Sequence, residues 1–268
     1  MEKTLSFVTV PIGNLEDITL KAMNKLISSE VILCEDTRNT HKLLNLLKIQ
    51  TDNKKLISFH EHSNEKYLDQ FNHLEDIVYV SDAGSPAISD PAGSLLDWAR
   101  VNKRKLQSFS GISSVTNALE ISGLKVSSFC FHGFIPRVKS DKSRLFEKIK
   151  KISGVHVFFE SPLRVKKTLK EAYDLLKGKR VVLVRELTKK FESVYSFKMD
   201  ESWEAHLPEV IKGECVLLIE IEKEESESLN QFKDMAEAFL EKPRKKEMSK
   251  LLAKILEMDA KEVYKRLI

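Results

Sequence analysis

Cysteine is scarce in this chain, and the three present, Cys34, Cys130 and Cys215, lie far apart in sequence. No CxxC and no metal-ligand spacing brings them together, which excludes a redox pair or zinc ribbon and leaves them as reduced core residues beside apolar runs. The seven histidines form no HExxH or similar arrangement, and His60 with His62 is too slight a signal to imply a metal. Neither GxGxxG nor GxxxxGKS/T occurs, so a dinucleotide fingerprint and a P-loop are both unsupported. No apolar run approaches the ~20 residues of a membrane helix, and Met1-Glu2-Lys3-Thr4 leads into a short strand instead of a secretory segment, so a cytoplasmic protein is expected. Charge of one sign is also lacking, since 44 basic and 40 acidic side chains leave a formal +4. The average therefore says little about a polyanionic partner, and the chain shows no internal repeat or low-complexity tract.

What is present is a 268-residue chain, long enough for two domains and a small appendage, with the 42% hydrophobic and 31% charged balance of a soluble globular protein. Basic residues gather at Lys139 to Lys151, Lys166 to Lys170, and Lys242, Arg244, Lys245, Lys246 and Lys250; they read as phosphate-facing stripes or as solvated helix faces. The first part alternates short β-branched runs with helical periodicity, the pattern of βαβ units. Strands are expected at Leu5 to Val10, Val31 to Cys34, Leu56 to Phe59, Ile77 to Val80 and Lys105 to Phe109. Helices are expected at Thr19 to Ile27, Thr40 to Leu47, Glu65 to Leu74, Ser94 to Val101 and Ser113 to Ile121. This predicts an α/β domain over residues 1–122 with a mostly parallel sheet and helices on both faces.

The turn formers at Ser122 to Ser128 mark a boundary. A second α/β domain, residues 123–222, follows with strands at Phe129 to Phe134, Val155 to Phe159, Val181 to Arg185, Phe191 to Phe197 and Cys215 to Ile221. Too few helices separate them for an all-parallel sheet, so the two joined by Glu186 to Lys190 should pair antiparallel and the sheet should be mixed. The acidic run Glu222 to Glu227 reads as a linker. Residues 228–268 read as a helical tail, with amphipathic stretches at Met235 to Leu240, Met248 to Leu256 and Val263 to Ile268.

Chemistry concentrates at strand ends. The run Ser81 to Gly93 packs two prolines, two glycines and two aspartates behind the strand Ile77 to Val80, and open α/β sheets bind ligands at that carboxyl edge. An ordinary strand-to-helix turn needs no such density of Gly and Pro. Pro11 and Gly13, after the first strand, let a ligand approach the backbone closely without a phosphate cradle. Glu35, Asp36 and Arg38 leave a buried strand together, where carboxylates are costly to desolvate unless paired; Arg38 is the natural partner, and a helix N-cap from Asp36 or Asn39 is the plainer role. Glu160 with Arg164, and Arg185, Glu186 and Lys189, repeat the design in the second half. Ion pairing at a domain interface is the structural alternative.

Taken in order, PIGNLEDIT, EDTRNTHKLL, SDAGSPAISDP, FHGFIP, FFESPLR, VRELTKKFE and GECVLLIE resemble the ribosomal RNA small subunit methyltransferase I family, a branch of the tetrapyrrole methylase superfamily. The match spans nearly the whole chain. The resemblance implies a two-domain α/β methyltransferase, not Rossmann-like, that binds S-adenosylmethionine between its domains, works as a homodimer, and methylates the ribose 2'-hydroxyl of a cytidine in the decoding region of 16S ribosomal RNA, free or in the 30S subunit. By position, Pro11, Asp82, Ala83, Gly84, Ile88 and the Ser113-Ser114 turn would line the cofactor site, with Phe159 and Leu187 closing it. Ala92 stands where the family commonly has Gly, and Ser110-Gly111 where it has Pro-Gly, which bears on the loop conformation.

A ribose hydroxyl is a poor nucleophile, so transfer needs in-line placement and a proton acceptor. Glu35, Asp36, Glu160 and Glu186 are the candidates, with Glu160 or Glu186 favoured; Arg38, Arg185 and Lys189 would hold phosphates or tune an acid. Asp82 would face the sulfonium charge. The basic tail, including Lys254, Lys261, Lys265 and Arg266, would contact RNA or cap a dimer. A tetrapyrrole C-methylase, a methylase of a modified protein side chain, and a catalytically silent ribosome-binding module are the competing readings.

Overall fold

The structure, a computed structural model, describes residues 2–59, 65–88, 92–222, 245–255 and 258–267. Runs rich in Val, Ile, Leu and Phe form the first five strands, β1 (Thr4–Val8), β2 (Val31–Cys34), β3 (Lys55–Ser58), β4 (Asp76–Val80) and β5 (Lys105–Phe109). All pairings are parallel, in the order β3-β2-β4-β1-β5. A parallel sheet is covered on both faces, which is why β2 is buried at every position. On one face α1 (Leu20–Ser28) and α2 (Thr37–Leu46) set Ala22, Leu26 and Leu44 against Val8, Ile32 and Val78. On the other, α3 (Glu65–Asp69) and α4 (Ala92–Val101) set Leu68, Leu95 and Trp98 against Leu33, Ile77 and Tyr79. Each such fully buried large side chain contributes roughly 1.5–3 kcal/mol.

The second sheet is mixed: β6 (Phe129–Phe134), β7 (Gly154–Glu160), β8 (Arg180–Arg185), β9 (Ser193–Lys198) and β10 (Cys215–Ile221), in the order β6-β7-β10-β8-β9. β6 and β7 are parallel, β10 runs antiparallel to both β7 and β8, and β8 and β9 form the expected antiparallel pair. Helix α5 (Ser114–Ile121) packs Val115, Ala118 and Leu119 on one face of this sheet, against Val157, Val184 and Leu218. The opposite face carries α6 (Lys139–Ile149), α7 (Val165–Glu171) and α8 (Tyr173–Leu176), through Phe146, Leu169 and Leu176. Both sheets belong to one compact unit, Met1–Ile221, and Glu222–Ile268 forms a second.

Within the second unit, helices Lys245–Ile255 and Ala260–Leu267 bury Ser249, Ala253 and Val263. Asp259 caps the latter by accepting from Lys261 N at 2.8 Å. Lys246, Lys250, Lys254, Lys261 and Lys265 are exposed.

Several expectations need correction. β1 stops at Val8 instead of Val10, because Val10 leaves the ladder to bridge Gly84. α2 starts at Thr37 instead of Thr40, since Asp36 caps it by accepting from Arg38 N at 2.8 Å. α3 ends at Asp69, and residues up to Leu74 form turns that bury Phe71. β9 begins at Ser193, leaving Phe191 exposed. Cys130 is exposed on the edge strand β6, not in the core; Cys34 and Cys215 are buried. His60, His62, the Ser89-Asp90-Pro91 part of the glycine-rich loop, the Met235 to Leu240 stretch, Lys242 and Arg244 lie outside the described residues.

Candidate active site

The loops after β1, β2 and β4 meet at the carboxyl edge of the first sheet. Val10 and Gly84 exchange backbone hydrogen bonds of 3.0 and 3.1 Å. Gly84 carries a φ of +76°, and a Cβ there would stand 3.2 Å from Ile12 Cγ2, so the crossing favours glycine. Asp82 joins the third loop: its carboxylate accepts from Asp36 N at 3.2 Å and Asn39 Nδ2 at 2.9 Å, while Asp82 N donates to Glu35 Oε1 at 3.2 Å.

Between this edge and the second sheet lies a cavity of about 430 Å³, inside the ~300–1,000 Å³ range of small-molecule sites. Asp82, Ala83, Gly84, Ile88, Ser113, Ser114, Phe159 and Leu187 line it, as does Glu35. Pro11 and Gly13 do not, although Ile12 between them does. Ser113 and Ser114 place the first turn of α5 in the wall, where backbone N–H groups lack intrahelical acceptors. A second hollow of about 460 Å³ shares Glu35 and Asp82 with the first and adds Asp36 and Arg38. The sequence reading missed the lining residues Phe134, Ser161 and Pro162, which sit in the FHGFIP and FFESPLR motifs without being singled out; Gly213, Glu214 and Cys215, read from sequence as a weaker signal or only a turn, also line it.

The candidate acids differ sharply in their surroundings. Asp36 is held by a two-pronged bond from Arg38, at 3.1 and 2.5 Å; the guanidinium keeps the carboxyl well below the usual range, and the carboxylate in turn raises the arginine's pKa. Glu160 is buried, with Oε1 accepting from Ser161 N at 2.7 Å and paired with Arg164 Nε at 3.3 Å, and Oε2 accepting from Thr168 Oγ1 at 2.8 Å. Lys142, also buried, continues this network to Thr168 and, at 2.6 Å, to Glu171.

Glu186 lies in a latch between the two sheets. Its Oε1 accepts from Glu214 N at 3.0 Å and from Lys189 Nζ at 3.1 Å, and the backbone bond, aided by the ammonium, depresses its pKa. Burial works against the Lys189 ammonium, but Glu186 and Glu214 together raise its pKa. The fit is tight on both sides: a Cβ on Gly13 would overlap Lys189 Cγ, and one on Gly213 would overlap Glu186 Cδ. Asn14 N donates to Thr188 Oγ1 at 3.2 Å, tying the first loop to this turn. Glu186 and Thr188 hold φ of +54° and +63°, left-handed conformations uncommon for residues with a Cβ. Arg185, at the end of β8, donates to Phe191 O at 3.3 Å. Among the described residues no group of three or more His, Cys, Asp or Glu could hold a metal ion.

The model for the Tetrapyrrole (Corrin/Porphyrin) Methylases matches residues 4–202, which take in the whole first sheet and β6 to β9 of the second. Ribosomal RNA small subunit methyltransferase I of Halalkalibacterium halodurans is 39% identical over 221 residues, 81% of this chain and 75% of that protein. Its Vibrio cholerae counterpart is 41% identical over 223 residues, 80% and 76% of the two chains. The chain belongs to the ribosomal RNA small subunit methyltransferase I family of tetrapyrrole methylases. A solved uroporphyrin-III C-methyltransferase of Thermus thermophilus, complexed with S-adenyl homocysteine, shares the fold, with a TM-score of 0.57 at 14% identity over 81% of this chain and 97% of that one.

Ala92, Ser110 and Gly111, the positions where the resemblance implied a departure, all lie outside the positive-φ region. Ala92 begins α4, buried and helical, so no positive φ is demanded of it. Gly111 backs onto Thr9, whose Cγ2 would stand 3.0 Å from an added Cβ, and Ser110 O accepts from Thr19 Oγ1 at 3.1 Å. The bond from Thr19 holds this turn without a proline.

Proposed function

We propose that this tetrapyrrole methylase is an S-adenosylmethionine-dependent methyltransferase that methylates the ribose 2'-hydroxyl of a cytidine in the decoding region of 16S ribosomal RNA. The observation that carries the reading is the cavity between the sheets, walled by the family's own strand-end motifs, together with relatives named for small-subunit ribosomal RNA. Its residues fit the cofactor: Ile12, Ile88, Val115, Phe159, Leu187 and Val216 offer apolar walls, Gly84 leaves backbone open, and Asp82 and Glu35 set negative charge toward one end. When bound, S-adenosylmethionine supplies an electrophilic methyl group on a positively charged sulfur.

The chain's own part is to place the hydroxyl and to take its proton. Asp36 and Glu186 are poor acceptors because their partners favour the charged form, and Glu160 is engaged by three donors. Glu35, which lines both hollows, is the acceptor in this reading; Arg38, in the wall of the second hollow, and Arg185, at the end of β8, face the flanking phosphates. Lys189 holds the latch. The basic tail supplies further contacts to RNA backbone, and the working form is a homodimer.

The deciding assay supplies methyl-labelled cofactor with 30S subunits or free 16S RNA, then maps the mark. Label at a decoding-region cytidine that resists alkaline cleavage is expected. Label only on a tetrapyrrole or a protein side chain, or none at all, overturns the reading.

A further inference from the structure

Phe134 is 62% exposed although it lines the cavity, an unusual position for a phenyl ring. Isolated exposed apolar side chains need no explanation, but this one is aimed and braced. The β6–β7 ladder is irregular between Phe131 and Phe134, and Gly133 between them carries a φ of +68°. A bulge of this kind turns a side chain out of the sheet alternation and is common beside active sites. Phe159, itself in the cavity wall, meets the Phe134 ring edge-on with centroids 5.4 Å apart and an interplanar angle of 65°, which leaves a face of Phe134 uncovered.

The backbone that follows is pinned. Ile135 N donates to Phe159 O at 3.1 Å, and Arg164 donates to Ile135 O at 2.8 Å and to Pro136 O at 3.0 Å. Arg164 in turn is fixed by the buried Glu160, which Thr168 anchors from behind. A rigid ring at a cavity mouth offers stacking area at little ordering cost, and each base stacked on an aromatic side chain gains appreciably because every base has a π face.

We propose that Phe134 is a stacking shelf for the base of the nucleotide presented for methylation, with Arg164 and Glu160 as its positioning residues. The inference rests on the RNA methyltransferase reading and names how that site holds its substrate base. It separates two jobs within one cavity: the walls at Ile88, Val115 and Leu187 face the cofactor, and the bulged strand end faces the RNA.

The test compares Phe134→Ala, Phe134→Leu and Phe134→Trp with the wild-type chain, using 30S subunits or 16S RNA as substrate and titrating S-adenosylhomocysteine by calorimetry. Phe134→Ala should lower kcat/KM for RNA by roughly 5- to 150-fold, the span that loss of one stacked ring produces. Its affinity for S-adenosylhomocysteine and its melting temperature should stay at wild-type values. Phe134→Leu, apolar but without a π face, should remain defective, while Phe134→Trp should restore turnover. Trp98 and Trp203 are buried, so the added indole should dominate the fluorescence quenched by RNA.

Unchanged kcat/KM for RNA in Phe134→Ala, or full activity in Phe134→Leu, overturns the shelf while leaving the function standing. Weakened S-adenosylhomocysteine binding in Phe134→Ala assigns the ring to the cofactor and also overturns it. A wild-type chain that methylates no RNA overturns the function and the shelf together.

Discussion

Gly213→Ala perturbs the latch at its narrowest point. Gly213 carries a φ of +83°, and a Cβ there would run into the Cδ and Oε1 atoms of Glu186. The left-handed backbone alone costs an alanine roughly 1–2 kcal/mol. Moving the Glu186 carboxylate away sacrifices its bond to Glu214 N, and a hydrogen bond to a charged group is worth roughly 1.5–3 kcal/mol; the ion pair to Lys189 is partly solvated and adds little. The sum, about 2.5–5 kcal/mol, should lower the melting temperature by about 5–20 °C in a unit of this size. Because Gly213 and Glu214 line the cavity, cofactor affinity should fall with it. Differential scanning calorimetry on Gly213→Ala, Glu186→Ala and the double variant provides the check. Truncating Glu186 removes the atoms that collide, so the double variant should lose markedly less than the two single losses added together. Strict additivity, or a Gly213→Ala melting temperature within about 1 °C of wild type, would refute the argument.

Asp82→Asn keeps an oxygen for Asp36 N but removes the charge and the bond from the exposed Asn39, so S-adenosylmethionine affinity should drop with a stability loss of only about 1 kcal/mol, and unchanged affinity in calorimetry would remove Asp82 from the cofactor site. Glu160→Gln should instead destabilise strongly, by about 3–5 kcal/mol, because it leaves the half-buried Arg164 without its carboxylate. A Glu160→Gln protein that melts normally yet has lost kcat, beside a fully active Glu35→Gln, would transfer the proton acceptor from Glu35 to Glu160. Burial pushes the Cys215 thiol up to about 11 from an ordinary 9.0, and burial also raises Cys34. At pH 8 a thiol reagent should therefore modify Cys130 rapidly and the other two only on unfolding. The same shift sets a sign: the folded thiol keeps its proton longer than the unfolded one, so this contribution is complete below pH 9 and disappears as pH rises through 11. Three fast-reacting thiols in the native protein would contradict both statements.

The strands were legible because burial on both faces writes them as unbroken apolar runs. Val31–Cys34, Lys105–Phe109, Phe129–Phe134 and Cys215–Ile221 have the bounds their sequence suggests. Helix ends drifted where a side chain decides them locally, as Asp36 does by capping α2 three residues early. The acids and bases of the site were visible as residue types at strand ends, but not their engagements. Glu186 and Glu214 are joined by the antiparallel register of β8 and β10, and Glu160 and Thr168 by the turn that folds α7 back on β7. The positive φ values at Glu186 and Thr188 have no residue signature, since neither is Gly, Asn or Asp. Phe134 escaped notice because a bulge changes the direction of a side chain without changing the apolar run that contains it.

The placement of β10 orders the birth of the enzyme. It is the last strand of its sheet to be made and the central one, flanked by β7 and β8. During synthesis the second sheet must wait as two separate halves, with the facing edges of β7 and β8 unpaired, until residues 215–221 emerge and insert between them. Gly213, Glu214 and Cys215 arrive with that strand, so the pocket gains its final wall in the same step that completes the sheet. A nascent chain halted before this point would carry nearly all the motifs and still lack the Gly213-to-Val216 wall of the cavity.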